Sequence, residues 1–369
     1  MKKIALVINN SWSAYNFRLN LARAMKKDGY EVVFIAPYDN KYSKLIEEEF
    51  RFFDVDIDSK GMNPINDMKM ILSLYKTFKI IKPDIILNFT IKPNIYSSIV
   101  AGVMGIASIS NITGLGTIFI KESLVTKIAK LLYKVALNFN SVVFFQNRDD
   151  ENLFTYNNLV DKNKIDLLPG SGVDLKKFVP SQTKTLNNKI IFLVIARLLK
   201  DKGIVEYIEA IKIIQKKYKN VEFKILGAVG VENKTAISKD ELQVWIDNNL
   251  VEYLGVSDDV QKIIASVDCV VLPSYREGTP RSLLEACAME KPIITTNVVG
   301  CKEVVDDSIN GYLCKVKDTK DLANKIEMMI NLSQDERVSM GRLGRKKVVD
   351  KFDEKIVIDK YLNSIREIL

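Results

Sequence analysis

Short apolar runs alternate with helical segments along this chain, and the alternation runs through once, stops at a polar stretch and begins again. In the first half the runs at residues 4–8, 31–36, 85–88, 107–111, 142–146 and 165–168 read as strands, with helices near 17–27, 43–50 and 94–105. Strands that alternate with helices form a parallel sheet covered on both faces. Residues 181–189 are polar and break the pattern; 190–195 restart it, followed by a helix at 204–217, a strand at 222–226, a helix at 240–249, a strand at 251–254, a helix at 258–265 and a strand at 268–272. With 369 residues, 47% of them hydrophobic, the chain exceeds one core and can fill two. The expected division is an α/β domain over 1–180, a second over 190–352, and a closing helical segment over 353–369.

The chemistry concentrates where the apolar run 267–273 gives way to Tyr275-Arg276-Glu277-Gly278-Thr279-Pro280-Arg281-Ser282-Leu283-Leu284-Glu285. Thr279 suits a helix N-cap and Pro280 the first helical position, so a helix is expected to start there. Its first amides lack helical partners and carry the positive end of the helix dipole, which suits a phosphate. Glu277 precedes the turn and Glu285 lies inside the helix, so each carboxylate can accept hydrogen bonds from a polyol with the anion between them. That layout points to a nucleotide-sugar. Both acids also have an ordinary explanation: Glu285 pairs with Arg281 one turn away, worth about 0.3 kcal/mol, and Glu277 is a solvated loop acid. Upstream, Arg197 ends the strand 190–195 and Lys202 opens the next helix, two cations able to neutralise a diphosphate. Gly227 and Gly255 each follow a strand, as ligand crevices of open α/β sheets require, though glycines there also simply mark turns.

Taken together, Arg197, Lys202 and the 277–285 turn resemble the retaining glycosyltransferases of family 4. The resemblance implies the GT-B fold, two Rossmann-like domains facing a central cleft. It assigns Arg197 and Lys202 to the donor diphosphate, Glu285 to the ribose hydroxyls, and Glu277 to the donor sugar, with Gly278, Thr279, Pro280, Arg281 and Ser282 lying against phosphates and sugar. Gly227 and Gly255 join the donor side. On the acceptor side it implies Asn10 and Ser11 of the connection 9–18, Lys92 of the turn 90–94, and Thr113 and Gly114 of the turn 113–117. The last two turns resemble segments of bacterial enzymes that extend undecaprenyl-diphosphate-linked sugars, although Ile91 stands where many relatives carry histidine. Val299-Gly300-Cys301-Lys302-Glu303 replaces the more usual Gly-Gly turn and resembles enzymes that add N-acetylgalactosamine. In GT-B proteins the closing helix crosses back to the first domain.

Composition removes several other classes. The chain has no histidine, so histidine bases, histidine-ligated metals and Ser-His-Asp or Cys-His catalysis are absent. Its four cysteines lack C-x-x-C spacing, which argues against zinc and disulfides. No G-x-G-x-x-G follows the first strand, against an NAD enzyme. A metal-dependent GT-A enzyme is the alternative that Asp54-Val55-Asp56 and Asp56-Ile57-Asp58 would serve, but those acids alternate with apolar residues as on an exposed strand edge. A nucleotide-sugar epimerase or hydrolase, and a non-enzymatic binding scaffold, are the other readings weighed. The expected reaction is transfer of a hexose or N-acetylhexosamine, UDP-GalNAc favoured, to a polyprenyl-diphosphate-linked sugar, with no metal or other cofactor.

The net charge of +8 is uneven: residues 60–134 hold ten lysines against Asp67, Asp84 and Glu122. Two amphipathic helices, near 66–81 and 123–139, carry much of it, with Leu124, Ile128, Leu131, Leu132 and Val135 opposite Lys127, Lys130 and Lys134. An anionic membrane surface would be attracted to such a face; a helix flank packed on a sheet explains it equally well. The patch lacks interleaved aromatics and any recognition motif, which speaks against nucleic acid. The apolar start 4–8 is too short for a leader and reads as a strand, and no run reaches the roughly 18–20 apolar residues that span a bilayer. The expected location is cytoplasmic, peripheral at the inner face of the membrane.

Overall fold

Ile4, Ala5, Leu6 and Val7 are fully buried because their strand, β1 (Lys3–Val7), has a parallel neighbour on each edge and a helix layer on each face. Ile4 and Leu6 join one core and Ala5 and Val7 the other, the period of two expected of a central strand. In the computed structural model, which describes residues 1–57, 63–115, 124–181 and 189–369, β1 is followed by α1 (Ser11–Lys27), β2 (Glu31–Ala36), α2 (Tyr42–Glu47), β3 (Arg51–Asp54), α3 (Pro64–Ile81), β4 (Ile85–Phe89), a π-turn at Pro93–Ser97, α4 (Ser98–Val103), β5 (Ala107–Ile112), α5 (Leu124–Phe139), β6 (Val142–Phe145), α6 (Arg148–Tyr156) and β7 (Ile165–Leu167). The strands form one parallel sheet in the order β3-β2-β1-β4-β5-β6-β7.

The second half repeats the plan with β8 (Ile190–Ile195), α7 (Ile204–Lys217), β9 (Val221–Leu226), α8 (Lys239–Asp247), β10 (Glu252–Tyr253), α9 (Val260–Ala265), β11 (Cys269–Leu272), α10 (Arg281–Ala288), β12 (Ile293–Thr296), β13 (Gly311–Cys314), α11 (Thr319–Asn331), α12 (Gln334–Lys351) and α13 (Glu354–Ile368). Its parallel sheet runs β10-β9-β8-β11-β12-β13. These are two Rossmann-like α/β domains. In each, the chain leaves a central strand in one direction and later resumes on that strand's other side. The reversal lies between β1 and β4 in the first sheet and between β8 and β11 in the second, where open parallel sheets hold ligands.

Contacts divide the chain into Met1–Ser171 with Val357–Leu369, and Gly172–Ile356. The changeover falls ahead of the polar 181–189 stretch because Val173 bonds the far end of the second unit: its amide donates to Phe352 O (2.9 Å) and its carbonyl accepts from Glu354 N (3.1 Å). Phe178 is likewise buried in that unit's core. Most of α13 belongs to the first unit, where Tyr361 is buried against Phe144 and Phe89 and its oxygen accepts a hydrogen bond from Asn111 Nδ2 (2.7 Å).

The helix expected near 17–27 begins at Ser11, so residues 11–18 are helical rather than a connecting loop. Asn10 caps it, its side chain accepting from the Ser13 amide at 2.7 Å. Four buried cysteines are free thiols. Among the described residues no helix is long and apolar enough to cross a membrane.

Candidate active site

The C-terminal ends of β8 and β11 carry the residues the sequence singles out. Beyond β11 the chain runs through Ser274 to Gly278 before α10, and it is tied back to the start of α7. The Tyr275 amide donates to Asp201 O (2.9 Å), and the Tyr275 hydroxyl donates to Glu206 (2.6 Å). Burial, then that hydrogen bond, raises the Tyr275 phenol above its usual 10. Lys202, on a 3-10 turn at Lys200–Lys202, reaches Glu277 Oε1 at 2.5 Å. Their side chains are 21% and 14% exposed, so the pair is shielded yet open to a ligand on one side.

Glu277 is held from behind as well. Its amide donates to Val299 O (3.1 Å), and Gly300, at φ 82°, lies so close that a Cβ there would stand 2.2 Å from Gly278 O and 2.5 Å from Glu277 O. The glycine retained in the 299–303 turn is therefore a packing requirement of the Glu277 loop. Cys301 beside it is buried, which pushes its thiol up to about 12, with the Glu277 charge adding to the shift.

The helix after the turn starts one residue later than expected. Pro280 occupies the cap position (φ −71°, ψ 112°) and Arg281 is the first residue of α10, with no side chain capping the end. Thr279 is thus not the N-cap: Pro280 keeps an extended ψ, so the helix begins one residue later, and proline has no side-chain oxygen with which to cap it. The Leu283 and Leu284 amides both donate to Pro280 O (3.1 and 3.3 Å), and the amides ahead of Leu283 come before the helix's first bonded turn. One turn in, Arg281 Nε meets Glu285 Oε1 at 3.0 Å, the ordinary pairing weighed from the sequence. Burial raises the Glu285 carboxyl above its ordinary 4.5, while Arg281 and then Lys177 pull it down.

Arg197 follows β8 and is exposed, and its guanidinium makes no hydrogen bond or ion pair among the described residues. Behind it Gly227 (φ 149°) packs so tightly that a Cβ would lie 1.8 Å from Ala196 O, and its amide donates to Gly255 O (2.8 Å). The structure therefore brings Lys202, Glu277 and Gly278 together in one group, Arg281 and Glu285 in a second on α10, and Gly227 with Gly255 beside the Arg197 strand end. The arrangement offers cations and a helix start to an anion and carboxylates to hydroxyl groups, and departure of a diphosphate would be helped by those fixed charges.

In the first unit Asn10, Lys92 and the pair Thr113–Gly114 follow β1, β4 and β5, three adjacent strands. Ser11 is engaged in the interior: its hydroxyl donates to Pro37 O (2.6 Å) and accepts from Ser43 (2.8 Å). Lys92 pairs with Asp67 at 2.7 Å, and Asp67 also accepts from the Tyr96 hydroxyl (2.8 Å). Thr90 carries φ 75°, a strained value for a β-branched residue, just before the π-turn. Gly116 and Thr117 of the 113–117 turn lie outside the described residues. So does Asp58 of the alternative metal motif; Asp54 sits at the end of the edge strand β3, where it accepts from the Tyr38 amide at 3.0 Å.

Two family models match, together covering most of the chain: "Glycosyl transferases group 1" over residues 176–347 and "Glycosyl transferase 4-like" over 3–147. This chain is a family 4-like glycosyltransferase. It is 29% identical over 378 residues to the N,N'-diacetylbacillosaminyl-diphospho-undecaprenol alpha-1,3-N-acetylgalactosaminyltransferase of Campylobacter jejuni, covering 98% of this chain and 97% of that protein. It is 26% identical to the UDP-Gal:alpha-D-GlcNAc-diphosphoundecaprenol alpha-1,3-galactosyltransferase of Escherichia coli, over 91% of this chain and 89% of that one. Among solved structures, HepE of Anabaena in complex with UDP and glucose superposes with a TM-score of 0.82 at 17% identity, over 100% of both chains. A glycosyltransferase from Rickettsia africae gives 0.80 at 19% identity, over 100% and 98%. The glycosyltransferase thus has the GT-B fold. The supports of its Glu277 loop, Tyr275 with Glu206 and the Asp201 carbonyl, were not foreseen, because their spacing in sequence carries no signal until α7 and the β11 end are placed side by side.

Proposed function

We infer that the enzyme transfers an N-acetylhexosamine or hexose, UDP-GalNAc favoured, from a UDP-sugar to a sugar carried on a polyprenyl diphosphate, with retention of configuration and without a metal, in assembly of a cell-surface glycan. The observation that carries this reading is the Lys202–Glu277 pair at the β8/β11 reversal, beside the uncapped start of α10. Arg197, Lys202 and the α10 amides take the charge that builds on the leaving diphosphate, Glu277 orients the donor sugar, and Glu285 accepts from the ribose hydroxyls. The names of the two relatives support an undecaprenyl-diphosphate-linked acceptor and an α-linked product. An α-linked product from an α-linked UDP-sugar keeps the anomeric configuration. Asn10, Ser11, Lys92, Thr113 and Gly114 form the acceptor side, Ser11 by shaping the start of α1 from within.

An acceptor bound to lipid places the enzyme at the cytoplasmic face of a membrane, and the lysines of α3 and α5 supply attraction for its anionic surface, about 1 kcal/mol for each one near it. The test is a panel of UDP- and GDP-sugars against a short-chain polyprenyl diphosphate-sugar, with anomeric analysis of the product. Transfer from UDP-GalNAc with an α-linkage is expected. A β-linked product, or hydrolysis of donor without transfer, overturns the reading.

A further inference from the structure

Lys317 holds a left-handed backbone conformation that residues with a side chain rarely adopt, at φ 58°. Lys82, Asn158, Asn249 and Glu290 share it, but they stand at helix C-termini, where a left-handed residue closes the last turn. Lys317 ends no helix: it lies between β13 and α11, one residue ahead of the α11 cap Asp318. The chain is fastened on both sides of it. The Lys315 amide donates to Asp321 Oδ2 (2.7 Å), and the Asp321 amide donates to Asp318 Oδ1 (2.9 Å). Glycine would take this place without strain, so a lysine here is held by the turn at a conformational cost, and such strain persists where the side chain is put to use.

The side chain of Lys317 leads to the candidate site. Its Nζ lies over the Tyr275 ring, 4.6 Å from the centroid, where the negative face of the ring attracts a cation. The hydroxyl of that ring is held as well, by Glu206 Oε1 at 2.6 Å. Glu206 stands in the first turn of α7, and its other oxygen, Oε2, is buried with no hydrogen-bond partner among the described residues. Helix α11 packs against α7, so the turn that carries Lys317 and the helix start that carries Glu206 belong to one layer. Tyr275 is gripped from that layer on its face and at its hydroxyl. It stands two residues ahead of Glu277, and its amide bonds Asp201 O, one residue ahead of Lys202. The ring is therefore joined through the backbone to both members of the Lys202–Glu277 pair.

We propose that Lys317 is a positioning residue for sugar transfer: its ammonium seats the Tyr275 ring against Glu206, and Tyr275 in turn sets Glu277 and Lys202 in place for departure of the diphosphate. This rests on the assignment of Lys202 and Glu277 to the reaction and adds the element that fixes them. The two grips are complementary. A cation over the ring acts along the ring normal, and a hydrogen bond at the hydroxyl acts near the ring plane, so together they resist both tilting and sliding. Loss of the ammonium frees the first of these motions, and a small displacement of a group at the reacting centre is felt in the rate.

The experiment measures UDP release from UDP-GalNAc in the presence of a short-chain polyprenyl diphosphate-sugar, beside thermal melts, for variants of the full chain. Lys317→Gly relieves the strained backbone and should melt no lower than the wild type, yet its kcat should fall about fivefold while KM for the donor stays within about twofold. Lys317→Met keeps the length without the charge and should lose kcat to the same extent. Lys317→Arg restores a cation over the ring and should recover most of that loss. In a Tyr275→Leu background, Lys317→Met should lower kcat no further, because the contact it removes is already gone. A loss of kcat that follows a lower melting temperature in Lys317→Gly overturns the proposal in favour of a merely structural lysine. A loss that persists in full in the Tyr275→Leu background overturns it in favour of direct contact with a substrate. Glu277→Ala separates this proposal from the site assignment. Slow turnover in Glu277→Ala with wild-type turnover in Lys317→Met overturns the role of Lys317 alone, whereas unchanged turnover in Glu277→Ala overturns the site and this proposal with it.

Discussion

Glu277 and Glu285 bracket the same helix start but are held by different forces. Glu277 is fixed by an ion pair with Lys202 and by the chain behind it, whereas Glu285 lies within α10, largely buried, with Arg281 one turn away as its partner. In the proposed role Glu285 accepts from the ribose hydroxyls, so Glu285→Ala should weaken UDP binding by roughly tenfold in calorimetry. Lys202→Ala and Glu277→Ala should instead lower kcat, on the order of 10²-fold, with a smaller effect on UDP affinity. Unchanged turnover in all three refutes the site. Burial also gives Glu285 a pH signature. Its folded carboxyl lies above 4.5, so the folded protein binds that proton more tightly than the unfolded chain does. Stability of the wild type relative to Glu285→Gln is greatest below the unfolded value, falls as pH rises through the window above 4.5, and levels off once the folded carboxyl has ionised. Denaturant melts of both proteins across that window check the sign; a difference that grows with pH sinks the assignment of burial as the cause.

At the scale of elements, the site is a set of strand ends pinned to one another. The loop after β11 is fastened to α7 through Tyr275 and to the β12 end through Val299 and Gly300. A methyl group at 300 would push directly on the Gly278 and Glu277 carbonyls. Gly300→Ala should therefore slow transfer on the order of 10²-fold by misplacing Glu277, even though residue 300 carries no functional group. Steady-state kinetics beside a thermal melt separate this from simple unfolding: kcat falls while most of the protein remains folded at the assay temperature. The same scale shows why the 277–285 segment was readable. A buried apolar run, a Gly-Thr-Pro turn and an amphipathic helix are local features, and local features survive in sequence. The α1 start was harder, since Trp12, Tyr15 and Phe17 interrupt the helical pattern and only the side chain of Asn10, bonding forward to Ser13, marks where it begins.

At the scale of the molecule, the last helix returns to a domain built almost entirely from the first half of the chain. Tyr361 is its anchor, fully buried between aromatic rings and hydrogen-bonded to Asn111. Tyr361→Ala should destabilise the first unit by about 3–5 kcal/mol, and Tyr361→Phe by about 1 kcal/mol through loss of one hydrogen bond. Calorimetry should show the transition of the first unit moving to lower temperature in that order; equal melting of all three proteins would mean α13 adds nothing to that core.

The sequence by itself determined the α/β class, the two successive sheets, and the turn between Glu277 and Glu285, because periodicity, turn residues and helix-start signals are written over a few neighbouring positions. Only the tertiary structure decided that Lys202 meets Glu277, that Gly300 backs their loop, and that α5 turns Leu124 and Leu131 outward while Leu137 enters the core. Those outcomes depend on which strand lies beside which and on which helix face the sheet has already filled, and neither is recorded in the spacing of residues along one segment.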